Sequence, residues 1–215
     1  MSNTFEQMQK DLYAGKADEV KAGVHRALAE KFPPQEILEK GLIGGMDRVG
    51  RDFKAGDLFI PEVLACARAM HSGLEVLRPL LAETGEGAGQ STLGKLVIGT
   101  VQGDMHDIGK NLVSMMLEGA GFEVTDLGID VPPAKFVEAV RSQGPKVVGM
   151  AAMLTTTMPM MKTIIEALAQ AGLRDKVKVI VGGAPVTSAY AKQIGADAYA
   201  PDAATAVDVA RGLAA

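Results

Sequence analysis

The chain has 215 residues, enough for one large or two small domains, and 47% of them are hydrophobic, so a core can form. Its net charge of -4 argues against a nucleic-acid-binding surface, and its single cysteine, Cys66, excludes an internal disulfide and a cysteine-rich zinc site. The sequence has no apolar run of about 18 residues that predicts a membrane span, and its start lacks the pattern of a signal peptide, so we expect a cytoplasmic protein.

The first half of the chain is predicted to be helical. Its apolar residues recur at steps of three and four, with no period-two alternation. Gly15 ends the first predicted helix, and Pro33 and Pro34 separate the second from the third. The predicted helices lie near 4–13, 17–31, 35–53 and 60–82. Four helices with short connections favour an antiparallel four-helix bundle over residues 1–84.

The third predicted helix contains a run of glycines at Gly41, Gly44, Gly45 and Gly50. Each costs about 1 kcal/mol relative to alanine in a helix interior. Such a run indicates either close contact with another helix or a deliberately loose segment. Residues 85–93, which follow the bundle, are rich in glycine and polar residues and are predicted to be a flexible linker.

Strand and helix patterns alternate over residues 94–215. The predicted strands are 95–100, 123–126, 147–151, 177–181 and 198–199, and the predicted helices lie near 109–119, 133–143, 158–171, 187–194 and 204–213. This alternation is typical of a parallel sheet with helices on both faces. Ligands of such sheets bind at the carboxyl ends of the strands, so the loops that follow the strands are the candidate site.

The loop after the first predicted strand carries Asp104 and His106 between Gly103 and Gly109. A histidine with a nearby carboxylate can ligate a metal through one ring nitrogen while the carboxylate holds the proton of the other. The alternative is an ordinary solvated or hydrogen-bonded loop histidine. A phosphate-binding loop is disfavoured because the glycine spacing differs from the Walker pattern. His25 and His71 lack partners at ligand spacing and are interpreted as structural.

Three motif blocks at matching spacing resemble the cobalamin-binding signature of methionine-synthase-type modules, Asp-x-His-x-x-Gly, Ser-x-Leu and Gly-Gly. The first block, Asp104–Gly109, is followed after 41 residues by Ala151-Ala-Met153 and after 28 more by Gly182-Gly183. The resemblance extends into the first half, at Phe59-Ile-Pro-Glu-Val63, and covers nearly the whole chain. It is closest to the stand-alone corrinoid (cobalamin-binding) methyl-carrier proteins of methylotrophic and acetogenic methyltransferase systems.

The resemblance implies a fold and a set of roles. The fold would be a helical cap followed by a Rossmann-like, flavodoxin-like five-stranded cobalamin domain. His106 would take the lower axial position on cobalt, with Asp104 orienting it and the Thr157 hydroxyl extending the chain of hydrogen bonds. Phe59 would shield the upper face of the corrin. The residues implied to bind the cofactor are Gly103, Asp104, Met105, His106, Asp107, Ile108, Gly109, Ala151, Met153, Thr155, Gly182, Gly183 and Phe59.

One position departs from the signature. Ala151 stands where the motif has serine, and the resemblance implies that this serine contacts the nucleotide tail of the cofactor. Loss of this serine is expected to change which nucleotide tail of the cofactor the protein prefers, unless the neighbouring Thr155 substitutes for the serine. Gly182 and Gly183 would let the tail approach the backbone, although a tight turn alone would also explain this pair.

The implied function is to carry a methyl group on cobalt between two partner methyltransferases. One would take the methyl group from methanol, a methylamine, a betaine or a methoxylated aromatic compound, and the other would pass it to tetrahydrofolate or coenzyme M. A reductive activator would be a third partner. The chain has no evident site for activating a substrate, so no turnover is expected from it alone. The alternatives are a cobalamin-dependent sensor or regulator and the cobalamin subunit of a mutase.

Overall fold

The computed structural model describes residues 3–83 and 93–214. These residues fall into two compact units, one helical and one built around a sheet. Apart from Leu93, the predicted linker at 85–93 lies outside the described residues, and the predicted domain boundaries stay predictions. Among the helices of the described part, none is long and apolar enough to cross a membrane.

The helical unit has the predicted four-helix arrangement. Its elements are α1 (Asn3–Tyr13), α2 (Ala17–Ala29), α3 (Pro34–Glu36), a π-helical segment (Ile37–Ile43), α4 (Gly44–Ala55) and α5 (Ile60–Glu83). Helix α2 packs on α1 and α5, and α1 packs on α4. Leu12, Val24, Leu42 and Leu77 are fully buried between them, as the three- and four-residue spacing predicts.

The structure differs from the prediction of a single α-helix over 35–53. The helical backbone runs from residue 34 to residue 55 and includes the π-helical segment. The glycines in this stretch mark close contact with α1, which was one of the two predicted alternatives. A Cβ atom on Gly41 would lie 2.6 Å from the Met8 sulfur, and one on Gly45 would lie 3.2 Å from Leu12. Side chains at these positions would therefore require the Met8 and Leu12 side chains of α1 to move.

The second unit alternates strands and helices, as predicted. Its strands are β1 (Gly94–Thr100), β2 (Phe122–Asp126), β3 (Val147–Ala151), β4 (Lys178–Gly182) and β5 (Ala198–Ala200). Its helices are α6 (Ile108–Gly119), α7 (Pro133–Gln143), α8 (Pro159–Gln170), α9 (Ser188–Ile194) and α10 (Ala203–Ala214). A short 3-10 turn, Arg174–Lys176, precedes β4 and was not predicted.

Within the described residues the strands form one parallel sheet of five strands in the order β2-β1-β3-β4-β5. Val97, Val148 and Val179 belong to a core that includes residues of α7 and α8. Their neighbours Leu96 and Ile180 point to the opposite face and are also buried. Burial on both faces is typical of a parallel sheet covered by helices on each side. The predicted α/β architecture is therefore confirmed.

Candidate functional site

The loops that follow β1, β3 and β4 meet at one edge of the sheet. The register pairs Thr100 with Ala151 and Ala151 with Gly182, so these three residues lie side by side where their strands end. The loop after β2 joins the same edge through a bridge between Val101 and Val131. The candidate residues from separate parts of the sequence are thus brought together by strand order.

Asp104 is the centre of the hydrogen bonds at this edge, and it is fully buried. One carboxylate oxygen accepts from the His106 ring nitrogen Nδ1 at 2.7 Å and from the His106 backbone N–H at 3.1 Å. The other accepts from the Thr157 hydroxyl at 2.7 Å. It also accepts from the backbone N–H groups of Met153 at 2.7 Å and Leu154 at 3.3 Å. The predicted association of Asp104, His106 and Thr157 is therefore present in the geometry.

These hydrogen bonds determine the charge of the Asp104 carboxyl. Burial by itself raises its pKa, but the bonds donated by Met153, Thr157 and His106 outweigh burial, so the pKa lies well below its usual range. The group is therefore a carboxylate at neutral pH. A carboxylate can only accept, so the His106 nitrogen Nδ1 must carry a proton in order to donate to it.

The orientation of His106 follows from the same contacts. Its backbone carbonyl accepts from the Thr100 hydroxyl at 2.9 Å, which ties the loop to the end of β1. Because Nδ1 donates to Asp104, the lone pair of the neutral ring is on Nε2. The side chain is 53% exposed although its partner carboxylate is fully buried. The ring thus has the tautomer and the access that a metal-binding histidine needs.

Large apolar side chains are exposed on the loops around His106. Met105 and Ile108 are 64% and 76% exposed, and Ile129, Met153 and Leu154 are also exposed. Such a concentration of apolar surface at the ligand-binding edge of a sheet indicates a site for a large, partly apolar ligand. At Gly109 a Cβ atom would meet nothing within 4 Å, so the backbone there borders open space.

Close backbone packing within the protein explains why positions 182 and 183 are glycines. A Cβ atom on Gly183 would lie 1.9 Å from the Ala152 carbonyl oxygen, and one on Gly182 would lie 2.9 Å from the Ala200 carbonyl oxygen. Gly183 also has a φ of +122°, which side chains rarely permit. The pair is therefore required for the close approach of neighbouring strands and loops. Its predicted contact with a cofactor tail stays a prediction.

The remaining predicted residues are placed as follows. Ala151 ends β3, and Thr155 is exposed on the loop beyond it. Asp107 accepts from the Asn111 side chain at 3.1 Å, at the start of α6. Phe59 belongs to the helical unit, where it lies just before α5 and is 68% exposed. Gly103 has a φ of +86° and lies in the turn that leads to Asp104.

The sequence reasoning missed an ion pair between a buried lysine and a partly exposed aspartate beside this site. The Lys110 side chain is only 2% exposed, and its ammonium contacts the Asp126 carboxylate and the Asn111 side-chain oxygen, the latter at 2.6 Å. Asp126 also accepts from the Gly128 backbone N–H at 2.8 Å. The pair joins the first turn of α6 to the end of β2. Both residues lie in the motif region, but nothing in their spacing indicates that they meet.

Comparison with known proteins gives two family matches. A family model described as a B12 binding domain matches residues 94–208, and a second model with the same description matches residues 4–78. Together they span both units of the structure.

Named relatives agree with these matches. The chain is 48% identical to dimethylamine corrinoid protein 1 of Methanosarcina acetivorans over 92% of its own length and 91% of the relative. It is 48% identical to a trimethylamine corrinoid protein of Methanosarcina barkeri over 85% of its own length and 83% of the relative. A chain in the crystal structure of the methanol:cobalamin methyltransferase complex MtaBC of Methanosarcina barkeri matches with a TM-score of 0.88 and 30% identity, over 99% of this chain and 80% of that one.

Proposed function

Because this chain belongs to the B12-binding family of corrinoid methyl-carrier proteins, we propose that the methyl group it carries comes from a methylamine, with dimethylamine as the favoured donor. The observation that carries this proposal is the match to a dimethylamine corrinoid protein over nine-tenths of both chains, because the trimethylamine corrinoid protein reaches the same 48% identity over only 85% of this chain and 83% of its own. The match covers 92% of this chain, so it spans both units.

The residues at the sheet edge fit a corrinoid. A corrinoid would bring most of the ligands of its own cobalt, so one nitrogen donor from the protein would be enough to hold the metal. His106 presents Nε2 with its lone pair, on a 53% exposed ring. The exposed apolar side chains of Met105 and Ile108 suit the rim of a large macrocycle, and the open space at Gly109 suits its bulk.

We assign the roles of the site as follows. When bound, the corrinoid supplies a cobalt ion that accepts and releases the methyl group. His106 would hold the cobalt through Nε2, while Asp104 holds the proton on Nδ1 and fixes the direction of the ring. The Thr157 hydroxyl and the N–H of Met153 keep Asp104 ionised and in place. This arrangement keeps the lone pair on Nε2 and holds the ring in one orientation, as a metal-binding histidine requires.

The chain binds a corrinoid and works with methyltransferase partners, as its relatives do. The specific partners belong to the proposal: a methylamine-specific methyltransferase that loads the methyl group, and a second methyltransferase that passes it to tetrahydrofolate or coenzyme M. A reductive activator would restore cofactor lost to oxidation. A shielding role for Phe59 stays a prediction.

We expect His106→Ala to remove the protein nitrogen from cobalt and to weaken cobalamin binding at least about 10-fold. The measurement is the EPR spectrum of bound cobalt(II) cobalamin in protein whose histidines carry nitrogen-15. Wild-type protein should show doublet splitting from the labelled ring, because the cofactor's own base would give triplets. His25→Ala, a change at an exposed histidine of the helical unit, serves as the matched control and should behave as wild type. Triplets in the wild type would contradict the assignment of His106.

The donor is tested by methylation of the reduced holoprotein. Separate reactions contain a dimethylamine-, trimethylamine- or methanol-specific corrinoid methyltransferase with its own substrate, and the visible spectrum of the corrinoid reports methylation. We expect the dimethylamine reaction to be at least about 10-fold faster than the methanol reaction, a difference of about 1.4 kcal/mol in activation free energy. Equal rates with dimethylamine and methanol, or methylation with methanol alone, would contradict the proposal that dimethylamine is the favoured donor. Neither result would argue against corrinoid binding.

A further inference from the structure

The loop between β2 and α7 contains an unusual backbone residue. Asp130 has a φ of +52°, and among the described residues Lys31 is the one other non-glycine residue with a positive φ. Aspartate tolerates this left-handed conformation better than most residues, although glycine adopts it more easily. A non-glycine residue kept in this conformation at a functional edge indicates that its side chain is needed there.

Asp130 makes two hydrogen bonds to the turn that precedes His106. Its carboxylate accepts from the Gly103 backbone N–H at 2.7 Å. Its own backbone N–H donates to the Asp104 carbonyl at 3.1 Å. The two bonds run in opposite directions across the same turn, so they fix both its position and its rotation. The left-handed backbone of Asp130 lets one residue make both bonds.

The rest of this loop pairs with the segment that leads into the turn. The Thr100 backbone N–H donates to the Gly128 carbonyl at 3.0 Å, and the Val131 N–H donates to the Thr100 carbonyl at 3.0 Å. Asp130 continues this pairing beyond the end of the strands. Asp104 is thus held on two sides: its side chain by the loop after β3, and its backbone by the loop after β2.

We propose that Asp130 is a positioning residue for the metal ligand His106, and that it acts through its hydrogen bonds to Gly103 and Asp104. The inference rests on the proposed ligand role of His106. A carboxylate held only at its side-chain end can pivot about its Cα atom. The backbone of Asp104 is held at its N–H by the Val101 carbonyl and at its own carbonyl by the Asp130 N–H, so the Asp104 carboxylate presents one oxygen to Nδ1 of His106 in a single orientation. Ligand strength at Nε2 depends on that orientation.

Three substitutions separate the parts of this role. Asp130→Asn keeps an acceptor oxygen and tolerance of the left-handed conformation. Asp130→Gly keeps the conformation and loses the acceptor, and Asp130→Ala loses both. Using full-length protein and cobalamin, we expect affinity within about 2-fold of wild type for Asn, and losses of about 3- to 10-fold for Gly and at least about 10-fold for Ala.

The second measurement is the fraction of bound cobalt(II) cobalamin that shows the nitrogen-15 histidine doublet, alongside the melting temperature of the unloaded protein. We expect the fraction to fall in the order Asn, Gly, Ala. Unchanged histidine ligation in both the Gly and Ala variants would overturn the inference, even with a lower melting temperature. An Asn variant as impaired as Ala would also overturn it. Absence of the doublet in wild-type protein would instead refute the ligand role of His106.

Discussion

Asp104→Ala is expected to lower the free energy of unfolding of the cofactor-free protein by about 3–5 kcal/mol. The change removes the acceptor for the backbone N–H groups of Met153 and His106, in a place where Asp104 itself is fully buried, whereas the Thr157 hydroxyl can still donate to the Leu154 carbonyl. Each buried donor left without a partner costs about 1–3 kcal/mol. Urea denaturation measures this loss, and Asp107→Ala, at an exposed carboxylate just before α6, should cost only about 1 kcal/mol, as expected for a helix N-cap.

Asp104→Asn separates the structural role of this residue from its effect on His106. The amide oxygen can replace the carboxylate oxygen that faces Thr157 and Met153, which leaves the NH2 group facing the His106 ring. Nδ1 must then accept, so the proton moves to Nε2 and the ring loses its ligand lone pair. We expect a smaller stability loss than for Ala, of about 1–2 kcal/mol, and an affinity for cobalamin lowered about 10- to 100-fold. Wild-type histidine ligation in the Asn variant would contradict this account.

Gly183→Ala is expected to destabilise the sheet unit by at least about 3 kcal/mol. The new methyl group would lie 1.9 Å from the Ala152 carbonyl oxygen, which is a backbone atom and cannot rotate away. Either β4 or the loop after β3 must move, and that loop supplies the Met153 N–H that holds Asp104. Corrinoid affinity should therefore fall together with stability.

Gly144→Ala provides the matched control for this change. Gly144 also has a positive φ, of +60°, but a Cβ atom there would meet nothing within 4 Å. Only the left-handed conformation is penalised, at about 1 kcal/mol. Denaturation of the two variants under the same conditions gives the cost at Gly183 beyond that of an unobstructed left-handed position. Equal stability losses would show that the contact with Ala152 is relieved without cost.

The elements of this fold were largely predictable because they rest on local patterns. Apolar spacing located the helices of the bundle, and the alternation of strands and helices located the sheet. The π-helical segment Ile37–Ile43 escaped prediction because it keeps the same apolar spacing as an α-helix. The glycines of this segment did indicate close helix contact. The sequence did not identify the partner of Gly41, which is Met8 of α1, because that contact depends on how the helices pack.

The candidate site was predictable where its members share one motif. Asp104 and His106 are two positions apart, and their pairing follows from that spacing together with the resemblance. The spacing gave no such signal for Asp126 and Asp130, because their partners Lys110 and Gly103 lie 16 and 27 residues away in the sequence. Short polar residues after a strand are common in loops, so the sequence alone does not select them.

The sequence by itself determined the type of architecture, and it predicted a candidate site at the carboxyl edge with a histidine at its centre, because each depends on neighbouring residues or on a fixed spacing. Tertiary structure decided how that histidine is held. Met153 and Thr157 reach Asp104 from the loop after β3, and Asp130 reaches it from the loop after β2. Those contacts follow from strand order and register, which join residues about 25–50 positions apart. Such pairings are set by how the sheet assembles, and no local pattern encodes them.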